Sequence, residues 1–287
     1  MAQLKIRNLS PLLGAEVEGF DPQAELDEET RRVLKGAFDD RSVLVFRGIE
    51  IDHATQLFLV ETLHGDEPAD RAAAPTKEPG HVSNKEPDGG APYGRLLFHS
   101  DMMWSDLATQ VPSLYALEAE QPSVPTVFAS TTRAWDTLPD DLRARVAALH
   151  ARHESGHQGR GDHEYEAELL QPQWNELRST VTPVAQRHPR IGRTMLYVCE
   201  QQTREIVELP KLESDELLDA LFAHLYNPEH LLEHHWRTGD LVAWDNQAVQ
   251  HARPYLYADG PARTLRKVHA PRDLVARTGT PTYDRTN

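Results

Sequence analysis

Cysteine is nearly absent: Cys199 is the only one in 287 residues. A single thiol builds no disulfide framework, and it excludes a structural zinc site made of paired thiolates. Basic residues are in deficit, 30 Lys and Arg against 45 Asp and Glu, and no basic block occurs. At a formal net charge of −15 the chain is a poor partner for nucleic acid or an anionic membrane surface. Long apolar runs are missing too, so neither a membrane span nor a signal-peptide core is legible at the start, MAQLKIRNLSPLLGAEVEGF. The expectation is a cytoplasmic protein with a sizeable core. Histidine, by contrast, is plentiful at 15 residues. Any metal site must then be rich in nitrogen and oxygen donors.

Hydrophobic periodicity predicts many short strands and few helices. Asp27 opens a helix in which Val33, Leu34, Ala37 and Phe38 share one face, and 52–63 reads as a second with Leu59, Val60 and Leu63 inward. Helical patterns return over 131–150, with Pro139 at an N-terminus, and over 213–226. Strand-like runs occupy 42–46, 113–118, 126–130, 194–198, 240–244, 248–252 and 264–269. Residues 65–92 and 151–175 are polar, the first rich in Pro and Gly, the second in His and Gly, and a brief strand is expected at 81–84. Loops of that length in a compact domain commonly cover a site. The mixture predicts a mainly β domain, sandwich or barrel, with helical insertions.

The chemistry concentrates in GRLLFHSDMMW, residues 94–104. Leu96, Leu97 and Phe98 read as a buried strand, and positions i and i+2 of a strand share a face. His99 and Asp101 would then project together, two of the three ligands of a two-histidine, one-carboxylate iron site. His-x-Asp alone is weak, because composition supplies about one such triplet by chance. A second copy, His64-Gly65-Asp66, sits where a helix should cap off at Gly65 and is set aside. Near the C-terminal end Trp244-Asp245-Asn246 signals a turn and His251 follows on a strand. Arg263 and Lys267, four apart, share a strand face, a cation pair suited to anionic groups.

The assembled motifs resemble the taurine dioxygenase/2,4-D dioxygenase (TauD/TfdA) family of Fe(II)- and 2-oxoglutarate-dependent oxygenases. The matching pieces are LGAEVEGFD, LLFHSDMMW, PTVFAS, RHPRIGRTMLYV and HHWRTGDLVAWDNQAVQHARP followed by ARTLRKV, in the family's order across nearly the whole chain. The resemblance implies one domain over 1–287 with a double-stranded β-helix, or jelly roll. It implies His99, Asp101 and His251 as iron ligands, Arg263 pairing with the distal carboxylate of 2-oxoglutarate, and Thr126 assisting it. Lys267 stands where many members carry a second arginine that grips an acidic substrate, and Asn84 is a further substrate-pocket candidate. One residue more than expected separates His251 from Arg263, which a turn at Asp259-Gly260-Pro261 would absorb. The implied reaction uses Fe(II), 2-oxoglutarate and O2 to oxidise, most simply to hydroxylate, a C–H bond of a small acidic molecule, releasing succinate and CO2. A homo-oligomer is compatible with the same resemblance.

A rival motif stands at His153-Glu154-Ser155-Gly156-His157, with His163 as a third ligand: the pattern of a zinc metallopeptidase. It requires both histidines on one face of a helix, which Ser155-Gly156 disfavours. A catalytically silent metal-binding barrel is the third reading.

Overall fold

The computed structural model describes residues 4–65, 79–105, 107–108, 110–155, 178–271 and 275–276. Seven strands form the larger sheet in the order Lys5–Asn8, Ala15–Glu18, Val43–Phe46, Leu241–Trp244, Val111–Ala119, Arg263–Ala270, Gly80–Ser83. Four form the smaller one, in the order Leu231–His234, Thr126–Ser130, Val249–Leu256, Gly94–His99. Neighbours run antiparallel except Ala15–Glu18 beside Val43–Phe46. The chain alternates between the sheets, from Val111–Ala119 to Thr126–Ser130 and from Leu241–Trp244 through Val249–Leu256 to Arg263–Ala270. That is the jelly roll expected from the sequence.

Side-chain alternation explains why these runs are apolar throughout. Val43, Val45, Leu114, Ala116, Val242, Trp244 and Leu265 cluster with Phe128 and Val249 of the opposite sheet. Their neighbours Leu44, Phe46, Leu241 and Ala243 face the other way, onto Leu34, Phe38, Leu57 and Leu63. Both faces of the larger sheet are thus covered, and strands buried on both faces need continuous apolar sequence. The covering helices are Glu28–Arg41 and His53–His64. Asp27 and Asp52 cap them by accepting from the Thr30 and Thr55 amides, both at 2.8 Å, each cap contributing about 1 kcal/mol. Gly65 ends the second helix at φ 99°, so His64-Gly65 of the first His-x-Asp triplet is a helix terminus as expected, Asp66 lying outside the described residues.

Several boundaries differ from expectation. Residues 131–150 form two short helices, Thr131–Asp136 and Asp140–Val146, because Pro139 starts a new one. The later helix begins at Lys211, immediately after Pro210, and its Leu217, Leu218, Leu221 and Leu225 complete an outer cluster with Val146, Leu196 and Val198. The polar segment opens as a strand, His150–Glu154, between Ser179–Pro183 and Thr203–Ile206. Gly80–Ser83 is the brief strand expected at 81–84. Of the two supposed covers, residues 66–78 and 156–175 lie outside the described residues. Among those described, no helix is long and apolar enough to cross a membrane.

Candidate active site

His99 is the last residue of Gly94–His99, and the ladder with Val249–Leu256 sets it directly opposite His251. Cross-strand partners bring side chains within reach of one another, and here the imidazole centroids are 4.2 Å apart. His99 Nδ1 donates to the Leu97 carbonyl at 2.7 Å, which leaves its Nε2 lone pair on the side of Asp101. His251 packs against the Trp244 ring at 4.9 Å. Asp101 departs from expectation, since the strand ends before it and it sits in a turn. Its side chain still converges: Oδ1 lies 3.8 Å from His99 Nε2 and 3.9 Å from His251 Nε2. Donor atoms of the three residues all fall within 4.8 Å of one another, a span that one metal ion bridges.

Electrostatics prepare these groups for a cation. Burial works to raise the Asp101 carboxyl, but the Lys267 ammonium beside it outweighs this and holds it well below the usual range. Burial pushes the His99 and His251 imidazoles down, with the Asp101 carboxylate opposing in both. Both histidines are therefore neutral, the form that ligates, before metal arrives. A site of unshifted histidines would begin losing affinity below about pH 7.5 and be half protonated by about pH 6.5. Here Mn(II) affinity, followed by the EPR signal of free Mn(II), should stay level from about pH 8 through 6.5 and fall only lower. A steep decline already at neutral pH would contradict this.

Lys267 Nζ donates to the outer Asp101 oxygen, Oδ2, at 2.8 Å, leaving Oδ1 for the histidine side. Arg263 lies on the same strand face, about 13 Å away along the backbone. Its guanidinium is buried over the Trp236 ring, 5.7 Å from the centroid. Nη2 donates to Thr126 Oγ1 at 3.3 Å, and Nε and Nη1 have no partner among the described residues. Burial and the charge of Arg253 push this guanidinium down to about 9. Thr126 Oγ1 also accepts from Trp236 Nε1 at 3.0 Å, so its own proton is directed elsewhere. Two unused buried N–H groups beside a hydroxyl make a cradle that a carboxylate fits. Asn84 is engaged otherwise: its Oδ1 accepts from the Arg263 amide at 2.9 Å and its Nδ2 donates to the Pro261 carbonyl at 3.1 Å. It braces the start of the strand that carries Arg263. The turn before that strand closes with Gly260 N–H on the Tyr257 carbonyl, where the extra residue was expected.

The peptidase reading fails on geometry. His153 and Glu154 lie on a strand, so their side chains alternate between faces. The His153 nitrogens bond the Thr203 and Thr182 hydroxyls, each at 3.0 Å. His157 and His163 lie outside the described residues.

Two functional neighbours escaped the sequence reading. Trp236, inside HHWRTGD, underlies the Arg263 cradle, and Asn246, read only as a turn residue, holds Asp101 through its backbone. A buried indole's need for an acceptor was the one available signal for the first. The second had none, because its partner is 145 positions away.

A jelly roll with two histidines, one carboxylate and a nearby buried arginine defines a non-haem iron oxygenase of the 2-oxoglutarate-dependent class. The family profile described as taurine catabolism dioxygenase TauD, TfdA family matches residues 5–269, and the chain belongs to that family. Pentalenolactone F synthase of Streptomyces avermitilis is 29% identical over 89% of this chain and 90% of that protein. The alpha-ketoglutarate-dependent 2,4-dichlorophenoxyacetate dioxygenase of Cupriavidus pinatubonensis is 28% identical, covering 93% and 97%. Among solved structures, AAD-2 in complex with Mn(II) and N-oxalylglycine aligns with TM-score 0.71 and 25% identity over 93% of this chain and 96% of that one. A taurine dioxygenase from Burkholderia xenovorans shares the fold at TM-score 0.73 and 22% identity, covering 93% and 90%. The chain is an Fe(II)- and 2-oxoglutarate-dependent dioxygenase.

Proposed function

We propose that this dioxygenase hydroxylates a C–H bond of a small acidic molecule, with His99, Asp101 and His251 holding the iron and Arg263 with Thr126 holding the distal carboxylate of 2-oxoglutarate. The observation that carries the reading is the buried Arg263 guanidinium, which has unused donors and no anion among the described residues. Leaving buried charged donors unpaired is costly, and an incoming carboxylate relieves that cost. Bound iron supplies the redox chemistry: one atom of O2 enters the substrate as hydroxyl, the other enters succinate, and CO2 leaves. The protein's share is to orient both acids and keep water from the reacting bond.

Lys267 is the cation nearest the metal ligands. Its side chain is 38% exposed, so an ammonium with three donors can keep one on Asp101 and offer another to an acidic substrate. The names of two relatives, the 2,4-dichlorophenoxyacetate dioxygenase and a sulfate ester dioxygenase, point to acids of this kind. The test is succinate release from 2-oxoglutarate in the presence of Fe(II) and ascorbate, scored over aryloxy acids, sulfonates, sulfate esters and small carboxylates. At least one acid should raise succinate above the substrate-free rate and appear with an added oxygen. Stimulation only by uncharged compounds would overturn the acidic-substrate proposal.

A further inference from the structure

Asp101 stands beyond the end of its strand, so no ladder fixes it. Its peptide is gripped instead by a side chain from the far end of the chain. The Asp101 N–H donates to Asn246 Oδ1 at 2.8 Å, and Asn246 Nδ2 donates back to the Asp101 carbonyl at 2.9 Å. The carboxamide thus pairs with both backbone groups of one residue, as an adjacent strand would. The next residue, Met102, has φ 59° in the left-handed region, a conformation that a methionine adopts only when its surroundings impose it.

Asn246 is itself immobilised. It is buried, and its N–H donates to the Gln110 carbonyl at 3.0 Å. The preceding Asp245 donates its N–H to the Ser42 carbonyl at 2.8 Å. Asp245 Oδ1 accepts from the Gln247 and Ala248 amides and from His188 Nε2, at 3.0, 3.1 and 3.0 Å, while Oδ2 takes the Arg190 guanidinium. His188 Nδ1 accepts from the Arg190 and Ile191 amides, so the imidazole is locked with its proton on Nε2. Arg190 reaches on to Asp39 of the Glu28–Arg41 helix. A chain of polar contacts therefore runs from that helix to Asp245 and the turn 246–248, and this turn leads directly into the strand bearing His251.

We infer that Asn246 is a positioning residue for the metal centre: it presets the Asp101 carboxylate against the two imidazoles, and the Asp245–His188–Arg190 network holds Asn246 in place. This rests on the ligand assignment above. Residues that orient metal ligands typically govern affinity by about 10- to 100-fold.

The test compares Mn(II) binding, by EPR of the free ion, in the wild type, His99→Ala, Asn246→Ala and Asn246→Asp. Asn246→Ala should bind Mn(II) about 10- to 100-fold more weakly. Asn246→Asp keeps the volume and the acceptor but loses the donor to the Asp101 carbonyl, so it should fall between Asn246→Ala and the wild type. Thermal unfolding of the metal-free proteins separates positioning from general destabilisation. A matched fall in melting temperature from Leu217→Ala, a change in the separate outer cluster, should leave Mn(II) affinity unchanged. If Asn246→Ala does not fold, Asn246→Asp decides alone. Wild-type affinity in a folded Asn246 variant overturns the inference while leaving the ligand assignment intact. Wild-type affinity in His99→Ala overturns the assignment itself.

Discussion

Asp101→Ala releases no 2-oxoglutarate-derived succinate above background and binds Mn(II) more than about 100-fold more weakly than the wild type. The lower bound follows because residues that merely orient ligands already cost about 10- to 100-fold, and Asp101 supplies the site's one anionic donor to a divalent cation. The fold should survive. Asp101 lies in a turn outside the apolar clusters. The ammonium it leaves behind is 38% exposed and can be taken up by water. Melting of the metal-free variant should stay within a few degrees of the wild type. Asp101→Asn sharpens the result, since it keeps the shape and one oxygen and removes only the charge. It should lose Mn(II) nearly as completely. Retained affinity in Asp101→Asn would mean that the carboxylate is not a ligand.

Arg263→Met should remove most of the stabilisation by N-oxalylglycine while leaving the metal-free protein as stable as the wild type or more so. The opposite signs have one cause. Without an anion, Nε and Nη1 are buried and unpartnered among the described residues, and unsatisfied buried donors cost about 1–3 kcal/mol. Methionine keeps the apolar stem over Trp236 and removes that cost, though it forfeits the contact of charge with ring. With a carboxylate present the balance reverses. Truncating one partner of a buried, hydrogen-bonded charge pair costs about 2–5 kcal/mol, or about 30- to 5,000-fold in affinity. In the wild type with Mn(II), N-oxalylglycine at 100 times its Kd should raise stability by about 2.7 kcal/mol. The same concentration should raise the stability of Arg263→Met by no more than about 0.9 kcal/mol. A strongly destabilised metal-free variant would mean that the guanidinium is a structural pillar and not a waiting anchor.

Residue types and spacing pointed to the candidate ligand set before its geometry. His99, Asp101, His251, Arg263 and Thr126 sit in short motifs whose order along the chain is itself informative, and the strands bearing four of them were legible as apolar runs. The stated reason for Asp101 was nevertheless wrong: i and i+2 on a strand was the expectation, and a turn held by Asn246 is the fact. Local periodicity cannot report that hold, because it joins residues 145 positions apart. The rival motif at 153–157 failed for a related reason. Its composition is polar, yet His153 and Glu154 belong to a strand paired between Ser179–Pro183 and Thr203–Ile206, on which Ala151 and His153 are buried together. Helix boundaries moved where proline intervened, at Pro139 and Pro210, and elsewhere stood within a residue or two.

The most direct test of the account is a crystal structure of this chain with Mn(II) and N-oxalylglycine. Mn(II) should be coordinated by His99 Nε2, His251 Nε2 and an Asp101 oxygen, with the distal carboxylate of N-oxalylglycine hydrogen-bonded to the Arg263 guanidinium and the Thr126 hydroxyl. Metal bound elsewhere, or a distal carboxylate that bypasses Arg263, would contradict it.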